Sequence, residues 1–172
     1  TRGLIGLRSK VMTASAGEAI MAHRFTGYIP VKGPIPHRTN GVMISMDQGK
    51  AVAYAIDALQ LRGTFFVGVG ETTYEGMIVG EHCKEGDIVV NLQRAKQLTN
   101  IRAAGSDRNM KIAPPVVLSL EEALEFIAAD ELVEATPKSL RMRKRYLTEH
   151  DRKKQRRATA RTAEEEEESA DG

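Results

Sequence analysis

Five cationic side chains and a single acid, Asp107, lie between positions 94 and 111; the cations are Arg94, Lys96, Arg102, Arg108 and Lys111. The segment has neither helical nor strand periodicity, and residues 105–107 (Gly-Ser-Asp) are typical of a turn. A surface loop with uncompensated positive charge suits a polyanion such as RNA, because neutralised phosphates release condensed counterions. The alternative interpretation is a solvated loop without a ligand.

Short polar side chains favour the RNA interpretation. Thr99, Asn100 and Ser106 lie among the cations and can hydrogen-bond to phosphate, sugar hydroxyls and base edges. Few aromatic residues interleave with the cations, so stacking on single strands is not indicated. The loop therefore favours structured RNA that is recognised by shape and backbone.

A second basic element lies at 138–146. Leu140 and Met142 alternate there with arginines, so in a strand one face would carry Arg141, Arg143 and Arg145. The alternative interpretation is protection of a sheet edge by charge. The two elements together give the predicted RNA-contact set: Arg94, Lys96, Thr99, Asn100, Arg102, Ser106, Arg108, Lys111, Lys138, Arg141 and Arg143.

Catalytic and metal motifs are not recognisable. Gly68, Gly70 and Gly76 do not have the spacing of a dinucleotide loop, and the pair at 49–50 (Gly-Lys) precedes Ala51 rather than Ser or Thr. The four histidines and one cysteine are scattered without the spacing of a zinc site. We expect neither a cofactor nor a metal in this chain.

Composition indicates a globular protein of the reducing cytosol. The lone Cys83 cannot form an internal disulfide, and no apolar run approaches the roughly 20 residues that span a bilayer, so no membrane contact is expected. Residues 1–163 hold 25 Lys and Arg against 17 Asp and Glu, a formal charge of +8, before an acidic tract at 164–168. This asymmetry often accompanies nucleic-acid contact.

The opening residues predict a helix at 1–16 and a strand at 18–28, followed by a Pro- and Gly-rich linker at 31–41. One helix and one strand cannot bury both faces, and the chain opens without Met. We therefore expect 1–30 to be the end of a domain whose other elements lie upstream.

Residues 42–146 predict one mixed domain. Strands are expected at 42–46, 64–67, 74–79, 87–91, 132–135 and 138–146, with 74–79 and 87–91 paired through a turn at 84–86. A helix at 52–59 is expected to be capped by Ser45 or Asp47, and Ser119 with Glu122 forms a capping box for a second helix. The fold class is α+β, mostly antiparallel, with two main helices. The basic and then acidic segment 147–172 is expected to be disordered.

Several strings resemble the C-terminal part of the bacterial BipA/TypA translational GTPases, namely residues 1–6 (TRGLIG), 44–46 (ISM), 53–55 (AYA), 74–81 (YEGMIVGE), 98–103 (LTNIRA) and 131–139 (ELVEATPKS). The resemblance runs from Thr1 to Tyr146. It implies that 1–30 ends a ferredoxin-like domain similar to domain V of elongation factor G, and that 42–146 is the family's own C-terminal domain.

The resemblance also implies function. Family members bind the ribosome in the A-site region and support large-subunit assembly and growth under stress, so the expected partners are large-subunit ribosomal RNA, the tRNA acceptor end and the parent's upstream domains. The basic loop, carried onto Arg94, Lys96, Thr99, Asn100, Arg102 and Ser106, would belong to that contact surface. GTP and Mg²⁺ would bind an upstream G domain, so this chain would catalyse nothing. The alternative is a protein-interaction module that docks on ribosomal proteins or on the parent's other domains.

Overall fold

The computed structural model describes residues 4, 7–30, 33, 38–95 and 111–170. Its centre is a six-stranded sheet with the order β6-β1-β5-β8-β7, in which β3 also pairs with β5. The strands are β1 Val42–Ser45, β3 Gly63–Phe65, β5 Met77–His82, β6 Ile88–Val90, β7 Glu131–Ala135 and β8 Leu140–Lys144. A separate two-stranded sheet joins β2 Gly49–Lys50 to β4 Thr72–Thr73. Only the β1–β6 pair is parallel among these, so the predicted α+β, mostly antiparallel class is confirmed.

The strand β5 organises the sheet because both of its edges are used. β1 pairs along one edge, while β8 and β3 share the other. On the shared edge Met77 and Ile78 pair with β8, and the next pair, Gly80 with Phe65, belongs to β3. Since β3 and β8 meet β5 at adjacent positions, the sheet forks there.

Both faces of the sheet are covered, so β1 is buried along its whole length. Met43 packs with Ile56 of α2 (Ala53–Leu59) on one face. Val42 and Ile44 pack with Ala123 of α3 (Leu120–Phe126) on the other. The near-continuous apolar sequence of β1 matches a strand with two buried faces.

The two main helices are confirmed, but their starts differ in how they are capped. Ser119 accepts a hydrogen bond from the backbone N–H of Glu122, and the Glu122 side chain accepts one from the backbone of Ser119, so the predicted capping box is present. The predicted cap of α2 is wrong. Its N-cap is Val52, which has no side-chain acceptor, while Ser45 ends β1 and donates its hydroxyl to the Asp47 carbonyl.

The predicted strand at 18–28 is also wrong. α1 covers Leu7–Ala14 as expected, but residues 18–30 hold neither helix nor strand. A strand requires a hydrogen-bonding partner, and the described residues place none beside this segment. Ile20 and Tyr28 are consequently almost fully exposed, at 98% and 97%. The ferredoxin-like remnant therefore stays a prediction.

The segment predicted to be disordered instead contains α4, Glu149–Ala170. Its composition cannot build a core, but Ala, Glu, Lys, Arg and Gln are strong helix formers. Thr148 accepts a hydrogen bond from the backbone N–H of Asp151 and donates its hydroxyl to the Asp151 carboxylate, which caps the first turn. Local propensity and this cap are sufficient reasons for a helix that buries little surface.

Candidate nucleic-acid interface

The fork in the sheet opens a cleft of about 310 Å³, which we call the fork cleft. Its walls are mainly apolar side chains from the end of β3, the segment 115–118 and the start of β8. Three charged side chains also line it: Lys138, Arg141 and Glu71. A concave apolar surface with a few charges is the usual form of a binding site.

The structure brings together two of the predicted RNA-contact residues, Lys138 and Arg141, at this cleft. Lys138 is exposed in the turn between β7 and β8, and Arg141 is half-buried on β8. Neither side chain forms a hydrogen bond or an ion pair with any residue that the structure describes, and the Nε of Arg141 is shielded from solvent without a partner. The Glu71 carboxylate accepts a hydrogen bond from the Gly68 backbone at 3.0 Å. The cleft therefore holds two cations that form no ion pair with the described residues, together with one carboxylate.

Arg143, on the same strand, is in a different situation. Its Nε donates to Glu134 at 2.6 Å, and its Nη1 donates to the carbonyl of Lys144 at 3.2 Å. Glu134 also accepts a hydrogen bond from the Tyr74 hydroxyl at 2.5 Å. Burial, with the Glu134 hydrogen bond, holds the pKa of Tyr74 above its ordinary value. The three arginines of the predicted face thus differ: Arg141 has no ion-pair partner among the described residues, Arg143 is paired, and Arg145 lies exposed beyond the end of β8.

The predicted basic loop is described only at its two ends. Arg94, beyond β6, and Lys111 are both exposed. Six of its predicted contact residues lie outside the described residues: Lys96, Thr99, Asn100, Arg102, Ser106 and Arg108.

The end of this loop is attached to the wall of the fork cleft. The side-chain amide of Gln60 donates to the Lys111 carbonyl at 2.9 Å and accepts from the Ala113 backbone at 3.3 Å. Further along, the Val116 N–H donates to the Phe65 carbonyl of β3 at 2.8 Å. The chain therefore passes directly from Lys111 to the residues that line the cleft.

A buried charge cluster, which the sequence analysis missed, lies at the other end of β8. Lys144 is 2% exposed and its Nζ lies 2.7 Å from Asp87, 2.8 Å from Glu131 and 2.9 Å from Asp130. Glu131 also forms a two-pronged ion pair with Arg38, whose guanidinium lies 4.4 Å from the Phe126 ring centroid. We call these five charged residues (Arg38, Asp87, Asp130, Glu131 and Lys144) the Lys144 cluster. It ties the segment before β1 to the β7–β8 hairpin.

Pairing outweighs burial in the Lys144 cluster. Burial acts to raise the pKa of Asp87 and of Glu131, but hydrogen bonds from Lys144 and the backbone hold both below their usual range, with Arg38 adding a hydrogen bond to Glu131 and its positive charge near Asp87. Burial acts to lower the pKa of Lys144, yet its three carboxylate partners raise it. All three groups are therefore held in their charged forms.

A sequence signal for this cluster existed. In a strand where Leu140 and Met142 face inward, Lys144 occupies the next inward position. A lysine at an inward position is almost never fully buried unless it is paired. The inward position of Lys144 therefore predicts acidic partners for it, although the pattern does not identify them.

A family model for the TypA/BipA C-terminal domain matches residues 40–149, which contain the fork cleft, the basic loop and every member of the Lys144 cluster except Arg38. The chain belongs to this family.

Relatives of the TypA/BipA family agree with that match. The chain is 50% identical over 159 residues to a protein of Escherichia coli (strain K12) named "Large ribosomal subunit assembly factor BipA". The match covers 92% of this chain and 26% of that protein. A protein of the same name from Bacillus subtilis (strain 168) is 43% identical over 155 residues, 90% of this chain and 25% of that protein. The chain thus spans about a quarter of the length of these relatives.

The described residues contain no group of three or more His, Cys, Asp or Glu side chains that could hold a metal ion. Across the same described ranges, no helix is both long and apolar enough to cross a bilayer.

Proposed function

We propose that this chain is the ribosome-binding C-terminal module of a bacterial translational GTPase that assists large-subunit assembly and stress-adapted translation in the cytoplasm. It contacts large-subunit ribosomal RNA and the tRNA acceptor end near the A site. Family membership and the name given to the relatives support the ribosomal role. The upstream G domain of the parent binds GTP and Mg²⁺, and this module performs no catalysis.

The observation that carries the proposal is that Lys138 and Arg141 in the fork cleft form no ion pair with residues 38–95 or 111–170. Both sit in a domain whose other cations on β8, Arg143 and Lys144, are neutralised by carboxylates. A cation without an acidic partner gains by replacing counterions on phosphates, and the shielded Nε of Arg141 would gain an acceptor as well. The basic loop, which leads into the same cleft, supplies further positive charge for the same ligand.

The test is the salt dependence of binding to purified large ribosomal subunits. Each cation in direct phosphate contact contributes about 0.7 to 0.9 units to the slope of log K against log salt. Lys96→Ala, Arg102→Ala and Arg141→Gln are each expected to flatten the slope by about that amount. Lys84→Gln, an exposed lysine remote from the cleft lining, is the matched control and should leave the slope unchanged. Wild-type slopes in all three variants would refute the RNA assignment.

A second candidate function is docking on a protein, either a ribosomal protein or another domain of the parent. Large apolar side chains favour it, because Val117 is 86% exposed and Leu120 and Leu124 are 50% and 40% exposed beside it on α3. Exposed apolar patches commonly mark protein interfaces. Nuclease treatment separates the two candidates. Degradation of RNA abolishes association with the particle if RNA is the ligand and spares it if a protein is.

A further inference from the structure

The helix α4 is fixed to the body at its start. The guanidinium of Arg152 donates to the carbonyls of Tyr146 and Leu147, and Arg152 is 9% exposed. The backbone N–H of Glu149 donates to the Glu75 carboxylate at 3.2 Å, and Arg156 lies 3.4 Å from Asp87 of the Lys144 cluster. These contacts set the direction of the helix and decide which of its faces points outward.

A glycine makes this attachment possible. Gly76 has a φ of +82°, and a Cβ at that position would lie 2.6 Å from the Cα of Leu147. Only glycine adopts this conformation readily and leaves room for so close an approach. The segment that enters α4 is therefore held against the start of β5.

The two sides of α4 carry different residues. The side toward the body, over a cavity of about 390 Å³, presents Arg152, Gln155, Arg156 and Thr159. The opposite side presents His150, Lys153, Lys154, Arg157 and Arg161. At 3.6 residues per turn these five positions fall within about 100° of arc. We call them the outer face of α4.

The cations of the outer face are accessible. Lys154, Arg157 and Arg161 are exposed and form no ion pair with any side chain that the structure describes, which on this helix extends to Thr162. Lys153 pairs with Glu149 at 2.6 Å, but this is an exposed pair one helical turn apart. Such pairs contribute little and are easily exchanged for another anion. The outer face therefore presents a rigid row of positive charge.

We propose that the outer face of α4 is a second RNA-binding surface that grips the phosphodiester backbone of structured RNA, separately from the fork cleft. The inference rests on the proposed function and extends it, because the cleft and the outer face share no residue. Along an α-helix, residues four apart rise by about 6 Å and turn by about 40°, so Lys153, Arg157 and Arg161 form a slowly winding row of cations. Contacts to phosphates position a protein on RNA without reading its sequence.

The chemistry of the helix favours a phosphodiester backbone over a membrane or a protein surface, and the proposed function makes that backbone RNA. A helix that lies on a membrane needs large apolar side chains to enter the acyl region, and between Glu149 and Arg161 the only apolar residues are alanines. A protein interface needs aromatic or aliphatic anchors at its centre, which the outer face equally lacks. A surface of cations alone matches an interface whose affinity comes from phosphate neutralisation.

The test compares two triple variants with the same loss of charge. Lys154→Gln/Arg157→Gln/Arg161→Gln removes the unpaired cations of the outer face. Lys50→Gln/Arg62→Gln/Lys84→Gln removes three exposed cations from the body and is the control. Binding to purified large subunits, to protein-free ribosomal RNA and to phosphatidylserine vesicles is measured at 50 to 200 mM KCl. Circular dichroism confirms that α4 is retained, since Gln is a good helix former.

The expected result is that the outer-face variant flattens the salt slope for protein-free ribosomal RNA by about 2 to 3 units, at 0.7 to 0.9 per contact, while the control does not. Equal slopes in wild type and the outer-face variant would overturn the inference, as would equal losses in both triple variants. Vesicle binding that depends on the outer face, with RNA binding unchanged, would assign the surface to membranes instead. If wild type binds free RNA but not subunits, the proposed function fails while the inference is still decided by the RNA slopes.

Discussion

The two ends of the β7–β8 hairpin carry the same kind of residue in opposite situations. At the turn end, Lys138 and Arg141 lie beside an open cleft and form no ion pair within the part of the chain that the structure describes. At the other end, Arg143 and Lys144 are held by carboxylates from β7 and, for Lys144, by Asp87 and Asp130 as well. The comparison teaches that pairing rather than residue type divides these cations: the paired ones hold the fold together, and the others are those that we propose for binding.

The largest expected effect is on stability at the paired end. Lys144→Met would leave the buried Glu131 and Asp87 short of a partner, and breaking a buried ion pair in this way costs about 3 to 5 kcal/mol. The free energy of unfolding in urea measures the loss. Lys84→Met, at an exposed and unpaired lysine, serves as the control and should leave the free energy of unfolding almost unchanged. Equal values for the two variants would contradict the role of the Lys144 cluster.

Acid should destabilise the same end of the β7–β8 hairpin, where the Lys144 cluster lies. Asp87 and Glu131 have folded-state pKa values below their usual range, so their contribution to stability is present above about pH 4 and is lost as pH falls through the folded-state values. The pKa of Lys144 is raised, so its contribution is present below about pH 10.4 and is lost only as pH rises through the folded-state value.

The free energy of unfolding should therefore fall as the pH drops below about 4, and urea unfolding at a series of pH values measures it. Lys144→Met should weaken this acid dependence, because it removes one cause of the depressed pKa values. Parallel pH profiles for wild type and variant would assign the acid loss to carboxylates elsewhere.

The smallest expected change in stability comes from a matched pair of arginines on one strand. Arg143→Gln breaks a partly exposed ion pair with Glu134, which costs up to about 1 kcal/mol. Arg141→Gln breaks none that the structure describes and should leave stability unchanged. Binding is expected to show the reverse order, with the flatter salt slope in Arg141→Gln. If Arg143→Gln affects the slope as strongly as Arg141→Gln, the distinction between paired and free cations fails.

Local chemistry explains which elements the sequence could predict. The Ser119–Glu122 capping box is complete within four residues, and the helix it begins is where it was expected. The apolar run at 42–46 is equally local and gives β1. Pairing is not local. β5 and β6 are neighbours in sequence and were predicted to pair, but β1 lies between them, antiparallel to β5 and parallel to β6.

The site was predictable to a similar degree. Alternation on β8 correctly set Arg141 and Arg143 apart from Met142, but it could not distinguish the arginine that Glu134 engages from the one that stays free. The Lys144 cluster draws its members from positions as far apart as 38 and 144, so no window of sequence contains it. The composition of this segment predicts disorder because its residues cannot form a hydrophobic core. The same residues nevertheless favour a helix, and the structure has α4 there.

β3 and β8 share one edge of β5, and this arrangement keeps the fork cleft open to a ligand. β8 takes the positions at Met77 and Ile78, β3 takes those from Gly80 to His82, and the Val79 carbonyl between them accepts the N–H of Phe66. No hydrogen-bonding position is left on that edge for the start of β8. Strand pairing therefore cannot close the cleft. The cleft is therefore open before a ligand binds, and no binding free energy is needed to separate two strands.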